Sequence, residues 1–263
     1  LDSGRVITFL TDFGTQDAYV GVMKGVIASI SPQAQLIDLT HAIPPQDLYA
    51  ARFNLLNAVP YFPEHTIHVV VVDPGVGTSR RGIAVQTEAG VLVGPDNGVM
   101  SGVWQQFRFQ KAVDLTNPKF WRVTVASSTF HGRDIFAPAA AHIARGIPLE
   151  QLGHEIAPES LKRIDLPLLS WGEQFVRGGI QYIDHFGNGI TTIPADAVKG
   201  NPQQVLIGQT ELPWCSTYGA AAPGHPLALI GSHGWVEVAV NQGSAAQMLR
   251  FKIGDSVTCF FSN

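Results

Sequence analysis

The periodicity of the chain changes once, and that change limits what it can fold into. Up to about Pro158, short β-branched runs alternate with stretches of helical spacing; beyond it the helical spacing nearly disappears. In the first part Val6 to Leu10, Leu36 to Leu39, Ile67 to Val72, Ile83 to Gln86 and Val91 to Val93 read as strands. A helix is predicted from Asp17 to Ile30, with Val20, Met23, Lys24, Val26, Ile27 and Ile30 at amphipathic spacing, Asp17 in its first turn and Pro32 closing it. Others are predicted from after Pro44-Pro45 to about Ala58, from Gly98 to Phe107 and from Asp134 to Ala144. This alternation predicts an α/β domain with a mainly parallel sheet between helices. In the second part Phe175 to Ile183, Gln204 to Ile207, Leu227 to Ile230, Trp235 to Val240 and Ser256 to Phe261 read as short strands, with a turn of helix at Ala245 to Met248. That pattern predicts an all-β domain, an antiparallel barrel or sandwich. The expected organisation is an α/β domain over residues 1–160, a linker over 161–172 and a β-barrel domain over 173–263, the linker falling in the Pro-, Leu- and charge-rich stretch from Pro158 to Trp171.

Composition removes several function classes. The formal charge is −4 and the densest basic spot is Arg80-Arg81, so no nucleic-acid partner is expected. Cys215 and Cys259 stand far apart, which argues against a disulfide framework or a Cys-rich zinc site and for free thiols in a reducing compartment. No apolar run approaches the ~18 to 20 residues that span a bilayer, so no membrane partner is expected. The cytoplasm is the expected compartment; the sequence begins at Leu1, and whether a start codon, a tag or a secretion signal preceded it stays open. There is no G-x-G-x-x-G after the first strand, no G-x-x-x-x-G-K-[ST], no H-E-x-x-H and no G-x-S-x-G. No ligand cluster has metal spacing, so neither metal nor cofactor is expected.

Ligands of open α/β sheets sit beyond the carboxyl ends of the strands, and two polar clusters fall there. Thr11-Asp12-Phe13-Gly14-Thr15 ends the first strand. Asp12 can grip vicinal hydroxyls as acidic residues grip ribose, or it can cap the following helix, the better reading of that motif alone. Asp73-Pro74-Gly75-Val76-Gly77-Thr78-Ser79-Arg80 follows four valines. Its two glycines let the chain turn sharply, so that Arg80 folds back beside Asp73 and fixes the carboxylate's orientation. The alternative is a solvated charge pair on a hairpin turn; an Asp at a buried strand end favours function. In Phe130-His131-Gly132-Arg133-Asp134, His131 is either a proton acceptor or orienting donor, or a cap-region His beside a local ion pair. Asp184-His185-Phe186-Gly187-Asn188-Gly189 supplies an amide for an adenine edge and a ring to stack on a base, although F-G-N-G is also an ordinary turn signal. Ser232-His233-Gly234-Trp235-Val236-Glu237 puts a Glu in an apolar strand, where it calls for a cationic partner, either a substrate ammonium or a protein Arg.

Taken in order, these motifs resemble the S-adenosylmethionine hydroxide adenosyltransferase family, which is related to the fluorinase and chlorinase that attack the same substrate with halide. The resemblance rests on T-D-F-G-T at 11–15, V-D-P-G-V-G-T at 72–78, G-P-D-N-G at 94–98, F-H-G-R-D at 130–134, D-H-F-G-N at 184–188 and the run from Ser232 to Gly243. It implies an N-terminal α/β domain, a C-terminal β barrel and a homotrimer whose active sites lie between the N-terminal domain of one subunit and the C-terminal domain of its neighbour. It also implies hydrolysis of S-adenosylmethionine, a small-molecule substrate, to adenosine and methionine by water attacking C5′ in line with sulfur. Asp73, Arg80 and His131 match the family's water-handling triad, and Asp12 its ribose-diol ligand. Phe186, Asn188 and Tyr218 match the adenine pocket, with the backbone near Val240 on the adenine edge. Asp184, Ser232 and Glu237 fall where the methionine amino and carboxylate groups are held. Two alternatives stand beside it, a halide adenosyltransferase and a non-catalytic nucleoside or S-adenosylmethionine sensor. In the halogenating relatives Asp73 is replaced by Tyr and His131-Gly132 by Tyr-Ser. Two like charges 4 Å apart at an effective dielectric near 20 repel by roughly 4 kcal/mol, so Asp73 disfavours a halide; the intact triad disfavours the sensor.

Overall fold

The structure, a computed structural model, describes residues 4–198, 200 and 202–261. Residues 1–3 of the expected first domain, and 199, 201, 262 and 263 of the second, lie outside the described residues. Two compact units meet in sequence between Ile164 and Asp165. The stretch expected as a linker is shared between them. Lys162 N–H donates to Asp96 at 2.9 Å and Ile164 N–H to Ser101 at 3.3 Å in the first unit, whereas Ser170–Trp171 is a short strand of the second.

In chain order the first unit contains β1 (Val6–Thr11), α1 (Tyr19–Ile30), β2 (Gln35–Thr40), α2 (Leu48–Ala58), β3 (Ile67–Val71), β4 (Gly82–Thr87), β5 (Gly90–Pro95), α3 (Ser101–Gln106), β6 (Phe109–Asp114), α4 (Ala137–Ala144) and β7 (His154–Glu155). Its sheet runs β2-β1-β3-β5-β4-β6-β7. Pairing is parallel across β2, β1, β3 and β5 and antiparallel beyond. Only Glu88 and Ala89 join β4 to β5, and so short a link permits a hairpin but no parallel crossover. The α/β class holds, with a smaller share of parallel pairing than the alternation implied. Ile7, Phe9, Val69, Val71 and Val93 form one core with Met23 and Ile27 of α1 and Ala140 and Ile143 of α4. Successive strand residues face opposite ways, and the intervening Thr8, Leu10, Val70 and Leu92 are as deeply buried on the other face. There α2, capped by Asp47 accepting from Ala50 N–H at 2.9 Å, packs on β1 and α3.

Several predicted bounds are corrected. Helix α1 starts at Tyr19 after Ala18, so Asp17 precedes it and no acid stands in its first turn. Gly14, at φ +67°, turns the chain so that its N–H meets His41 C=O at 2.8 Å, and residues 15–18 are spent crossing to the helix. The helix predicted from Gly98 shortens to α3 because Gly98 sits at φ +91° in a turn. The one predicted from Asp134 begins earlier, as a π-helical turn over Gly132–Phe136 that runs into α4. Strands β6 and β7 carry too little hydrophobic alternation to be read from sequence.

The second unit contains β8 (Ser170–Trp171), β9 (Phe175–Ile183), β10 (Gly189–Pro194), β11 (Gln204–Ile207), β12 (Thr210–Leu212), β13 (Pro226–Ile230), β14 (Trp235–Val240), α5 (Ala245–Leu249) and β15 (Ser256–Phe260). The order is β12-β11-β15-β9-β10-β14-β13, with β8 on β9, and the pairing is antiparallel. The two end strands come together just after β12. Ala228 N–H of β13 donates to Pro213 C=O at 2.9 Å and Cys215 N–H to Ala228 C=O at 2.8 Å, which nearly closes a barrel. Val176, Ile180, Val205, Val238, Phe251 and Val257 fill it. Strands β10 and β12 were not predicted: the first is bracketed by Gly187, Gly189 and Pro194, the second has three residues. Among the described residues no helix is long and apolar enough to cross a membrane.

Candidate active site

Two loops leave the carboxyl ends of β1 and β3, and Asp12, Asp73 and Arg80 stand on them. The valines of β3 continue to Val72, which is fully buried, and Asp73 is the first residue beyond. The chain then turns tightly: Val76 N–H donates to Asp73 C=O at 3.2 Å, and Thr78 Oγ1 to Gly75 C=O at 2.7 Å. Arg80 therefore returns to Asp73. Its Nε donates to both carboxylate oxygens at 3.0 Å and its Nη2 bonds Oδ2 as well. The next residue turns away to another acid, Arg81 Nε reaching Asp96 Oδ2 at 2.9 Å.

His131 joins from a third loop. Gly77 makes this possible: it has φ +77°, and a Cβ there would stand 2.2 Å from Ser128 C=O. A side chain at 77 would push the His131 loop away. Arg80 Nη2 lies 2.7 Å from His131 Nδ1. A guanidinium only donates, so Nδ1 is the acceptor and the ring proton sits on Nε2. Burial, and then the charge of Arg80, push the imidazole below its ordinary 6.5. The Arg80 guanidinium also packs 5.3 Å from the Phe136 ring centroid on the π turn.

Asp12 does not cap α1, whose N-cap is Ala18. Its Oδ2 instead accepts from Gln46 N–H at 2.8 Å, and Gln46 holds φ +66° to present that donor. Asp12, Asp73 and His131 line one cleft of about 330 Å³, with Phe13, Tyr19, Gln46 and Phe130 among its other walls. The three rings meet pairwise, at 5.3 to 6.0 Å between centroids. Sequence reasoning did not single out these four. Phe13 and Phe130 sat inside recognised motifs; Gln46 acts through its backbone and Tyr19 as one aromatic on a helix, neither of which leaves a signal.

In the second unit Asp184, Phe186 and Asn188 share the turn between β9 and β10. Asp184 Oδ1 accepts from the N–H groups of Phe186 (2.9 Å) and Asn188 (2.8 Å), and its Oδ2 from Asn188 Nδ2 (3.0 Å). This leaves Phe186 exposed and Asn188 buried. The β10–β14 register sets Glu237 opposite Ile190, two residues from Asn188. Glu237 is 3% exposed. Tyr218 Oη donates to its Oε1 at 2.6 Å, and His233 Nε2 lies 3.0 Å from its Oε2. Because Trp235 N–H donates to His233 Nδ1 at 3.2 Å, the His233 proton is on Nε2. Of the two partners considered for Glu237, a protein Arg is ruled out among the described residues. Burial, and then the bond to Glu237, hold the Tyr218 hydroxyl well above the usual phenol range. Ser232 is exposed in the turn between β13 and β14, and Val240 closes β14 with its C=O accepting from Gly243 N–H at 3.2 Å.

Residues 7–153 match the SAM hydroxide adenosyltransferase N-terminal domain and residues 178–258 the C-terminal domain of the same name. The chain belongs to the SAM hydroxide adenosyltransferase family. Among its relatives, the (R)-S-adenosyl-L-methionine hydrolase of Thermus thermophilus is 43% identical, with 95% of this chain and 97% of that protein covered. The hydrolase of the same name from Methanocaldococcus jannaschii is 30% identical over 97% and 96%. A fluorinase from Actinopolyspora mzabensis is 26% identical over 97% of each. A crystal structure of an uncharacterized conserved protein from Thermotoga maritima superposes with a TM-score of 0.88 at 37% identity, covering 96% of this chain and 98% of that one.

Not every motif of the chain serves the cleft. Asp134 is fully buried and holds Arg133 Nε at 2.7 Å and Ser127 N–H at 2.9 Å, pinning the loop that leads to His131. In G-P-D-N-G, Asn97 Nδ2 donates to Val72 C=O at 2.9 Å and so anchors the strand end that carries Asp73.

Proposed function

We propose that this chain hydrolyses S-adenosyl-L-methionine to adenosine and L-methionine by in-line attack of water on C5′. The observation that carries the reading is the pair Asp73 and His131, both bonded to Arg80, on the wall of a cleft that also presents Asp12. In the reaction the water oxygen bonds C5′ while the C5′–S bond breaks, its electron pair going to sulfur. The sulfonium leaves as a neutral thioether and needs no acid. What remains is to place one water opposite sulfur and take its proton, and positioning of this kind supplies roughly 7 to 11 kcal/mol in favourable cases. Asp73 is the proton acceptor: its oxygens keep lone pairs beyond the Arg80 bonds, whereas His131 has Nδ1 occupied by Arg80 and offers Nε2–H as a donor that orients the water. Asp12, with one oxygen held by Gln46, turns the other to the ribose diol.

The second unit holds the rest of the substrate. Glu237 receives the methionine ammonium, a role supported by its burial with a phenol and an imidazole N–H as donors and no Arg or Lys on it among the described residues, and Asp184 and Ser232 share that end. Phe186, Asn188, Tyr218 and the backbone near Val240 take the adenine. The protein assembles as a homotrimer, each site completed by the first unit of one subunit and the second unit of its neighbour. The placement of the two residue sets on separate compact units supports this. The reading needs neither metal nor cofactor, and a carboxylate at position 73 opposes a halide nucleophile.

The test is incubation in ¹⁸O-water with each sulfonium epimer, the hydrolase relatives being named for the (R) form. Adenosine labelled at its 5′ oxygen, with methionine, is expected; substrate left intact, in chloride and fluoride buffers alike, would overturn the reading. A homotrimer is checked by light scattering. Mixing Asp73→Ala with Glu237→Ala subunits should restore about a quarter of parent activity if sites form between randomly exchanged subunits, and none if each site lies within one chain.

A further inference from the structure

We infer that His41, which does not line the cleft, is a positioning residue that sets Asp12 for the ribose diol. The inference rests on the assignment of Asp12 made above. His41 follows β2 and is 8% exposed. Its Nδ1 lies 2.9 Å from Thr11 Oγ1, and its Nε2 3.0 Å from Asp38 Oδ1. The Asp38 carboxylate, near Nε2 but outside hydrogen-bond geometry, favours the ring proton on that nitrogen by its charge, which leaves Nδ1 to accept from the Thr11 hydroxyl. The Thr11 oxygen, with its proton so directed, accepts from Phe13 N–H at 3.2 Å. On the far side of the same loop, His41 C=O accepts from Gly14 N–H at 2.8 Å. One residue therefore grips both flanks of Asp12-Phe13, through its ring at Thr11 and through its backbone at Gly14.

The side-chain bond is the part that substitution can remove. Thr11 is fully buried, so its hydroxyl, deprived of His41, has no water to turn to and drives the loop to rearrange. Among the described residues the Asp12 carboxylate is held by Gln46 N–H, and a shifted Thr11 carries it out of register with that donor. By contrast, the Lys24–Asp38 pair behind His41 is partly exposed on both sides, at 31% and 41% of side-chain surface, and contributes little to the grip.

The experiment compares binding of adenosine and 2′,3′-dideoxyadenosine by titration calorimetry in the parent, His41→Leu, His41→Asn and Thr11→Val, each checked for folding by thermal melting. The parent should prefer adenosine by about tenfold or more, the usual worth of a hydrogen bond to a carboxylate. His41→Leu should lose most of that preference while binding dideoxyadenosine as the parent does. His41→Asn, whose amide reaches Thr11 from the Nδ1 position, should keep it. Should His41→Leu fail to fold, Thr11→Val removes the same bond from its other end, together with the acceptor for Phe13 N–H. A folded His41→Leu or Thr11→Val with the parent's preference overturns the positioning role alone. A parent that binds both nucleosides equally overturns the diol assignment, and the inference with it.

Discussion

Asp73 in the first unit and Glu237 in the second are buried to almost the same degree, with 5% and 4% of their side-chain surface exposed. Their partners differ in kind. Asp73 is held by a guanidinium that returns its charge locally. Glu237 is held by a phenol and by an imidazole N–H, and Asp184 by backbone and amide N–H groups, donors that satisfy lone pairs without cancelling charge. An isolated buried charge is costly, so the second arrangement fits the proposed arrival of the methionine ammonium. The first suits a neutral nucleophile that must lose a proton. On the proposed roles, the difference separates proton transfer at Asp73 from the hold on the methionine ammonium at Glu237, with Asp12 of the first unit adding a hold on the ribose.

The sharpest way to break that division is Asp73→Asn. It should lower kcat by about two to four powers of ten, the span typical of a lost general base, with adenosine affinity close to the parent's by calorimetry. Equal losses in both would return Asp73 to a binding role.

Acid should also tell the units apart. His68 is fully buried in β3, with Nδ1 on Thr8 Oγ1 at 2.8 Å, and burial pushes its imidazole down to about 4. The unfolded chain binds a proton near 6.5 and the folded one does not, so the neutral ring's contribution is complete above 6.5 and is lost as pH falls from 6.5 towards 4. The loss amounts to about 3 kcal/mol. Hydrogen exchange followed by mass spectrometry should show β1 and β3 opening first over that range, and the His68→Leu/Thr8→Val pair should flatten the slope. Barrel strands that open at the same pH would remove the contrast.

Glu237→Gln keeps the shape but removes the charge, its one amide oxygen accepting from only one of the two donors. The Michaelis constant for S-adenosylmethionine should rise about tenfold to a hundredfold, in line with a lost charged hydrogen bond, with kcat changing less and adenosine affinity unmoved. A kcat loss as large as that of Asp73→Asn would contradict the assignment. The smallest effect expected is on the pH profile: with His131 held below 6.5 by burial and Arg80, kcat/KM should stay level as pH falls through 6.5 and decline only beneath it. A midpoint above 6.5 would mean that the Arg80 contact does not persist in solution.

Much of this was legible in the sequence, and the reasons are local. The bounds of β9, β11 and β14 follow from runs of apolar, β-branched and aromatic residues whose burial needs no distant partner to be recognised. Asp73 and Arg80 could be paired because a turn with two glycines returns the chain within seven residues. The change of texture near Pro158 marked two kinds of folding unit for the same reason. The tertiary structure alone decided the rest. Whether Asp12 caps a helix or faces a cleft depends on a donor at Gln46, 34 residues away, and backbone N–H groups carry no sequence signature. His131 meets Arg80 only because Gly77 lets the 128 loop approach. Glu237 could be seen to need a partner, but its choice of Tyr218 and His233 was settled by the turn at Tyr218–Ala220 and the turn between β13 and β14. Local spacing determines which residues share an element; which elements face each other is set by packing summed over the whole chain.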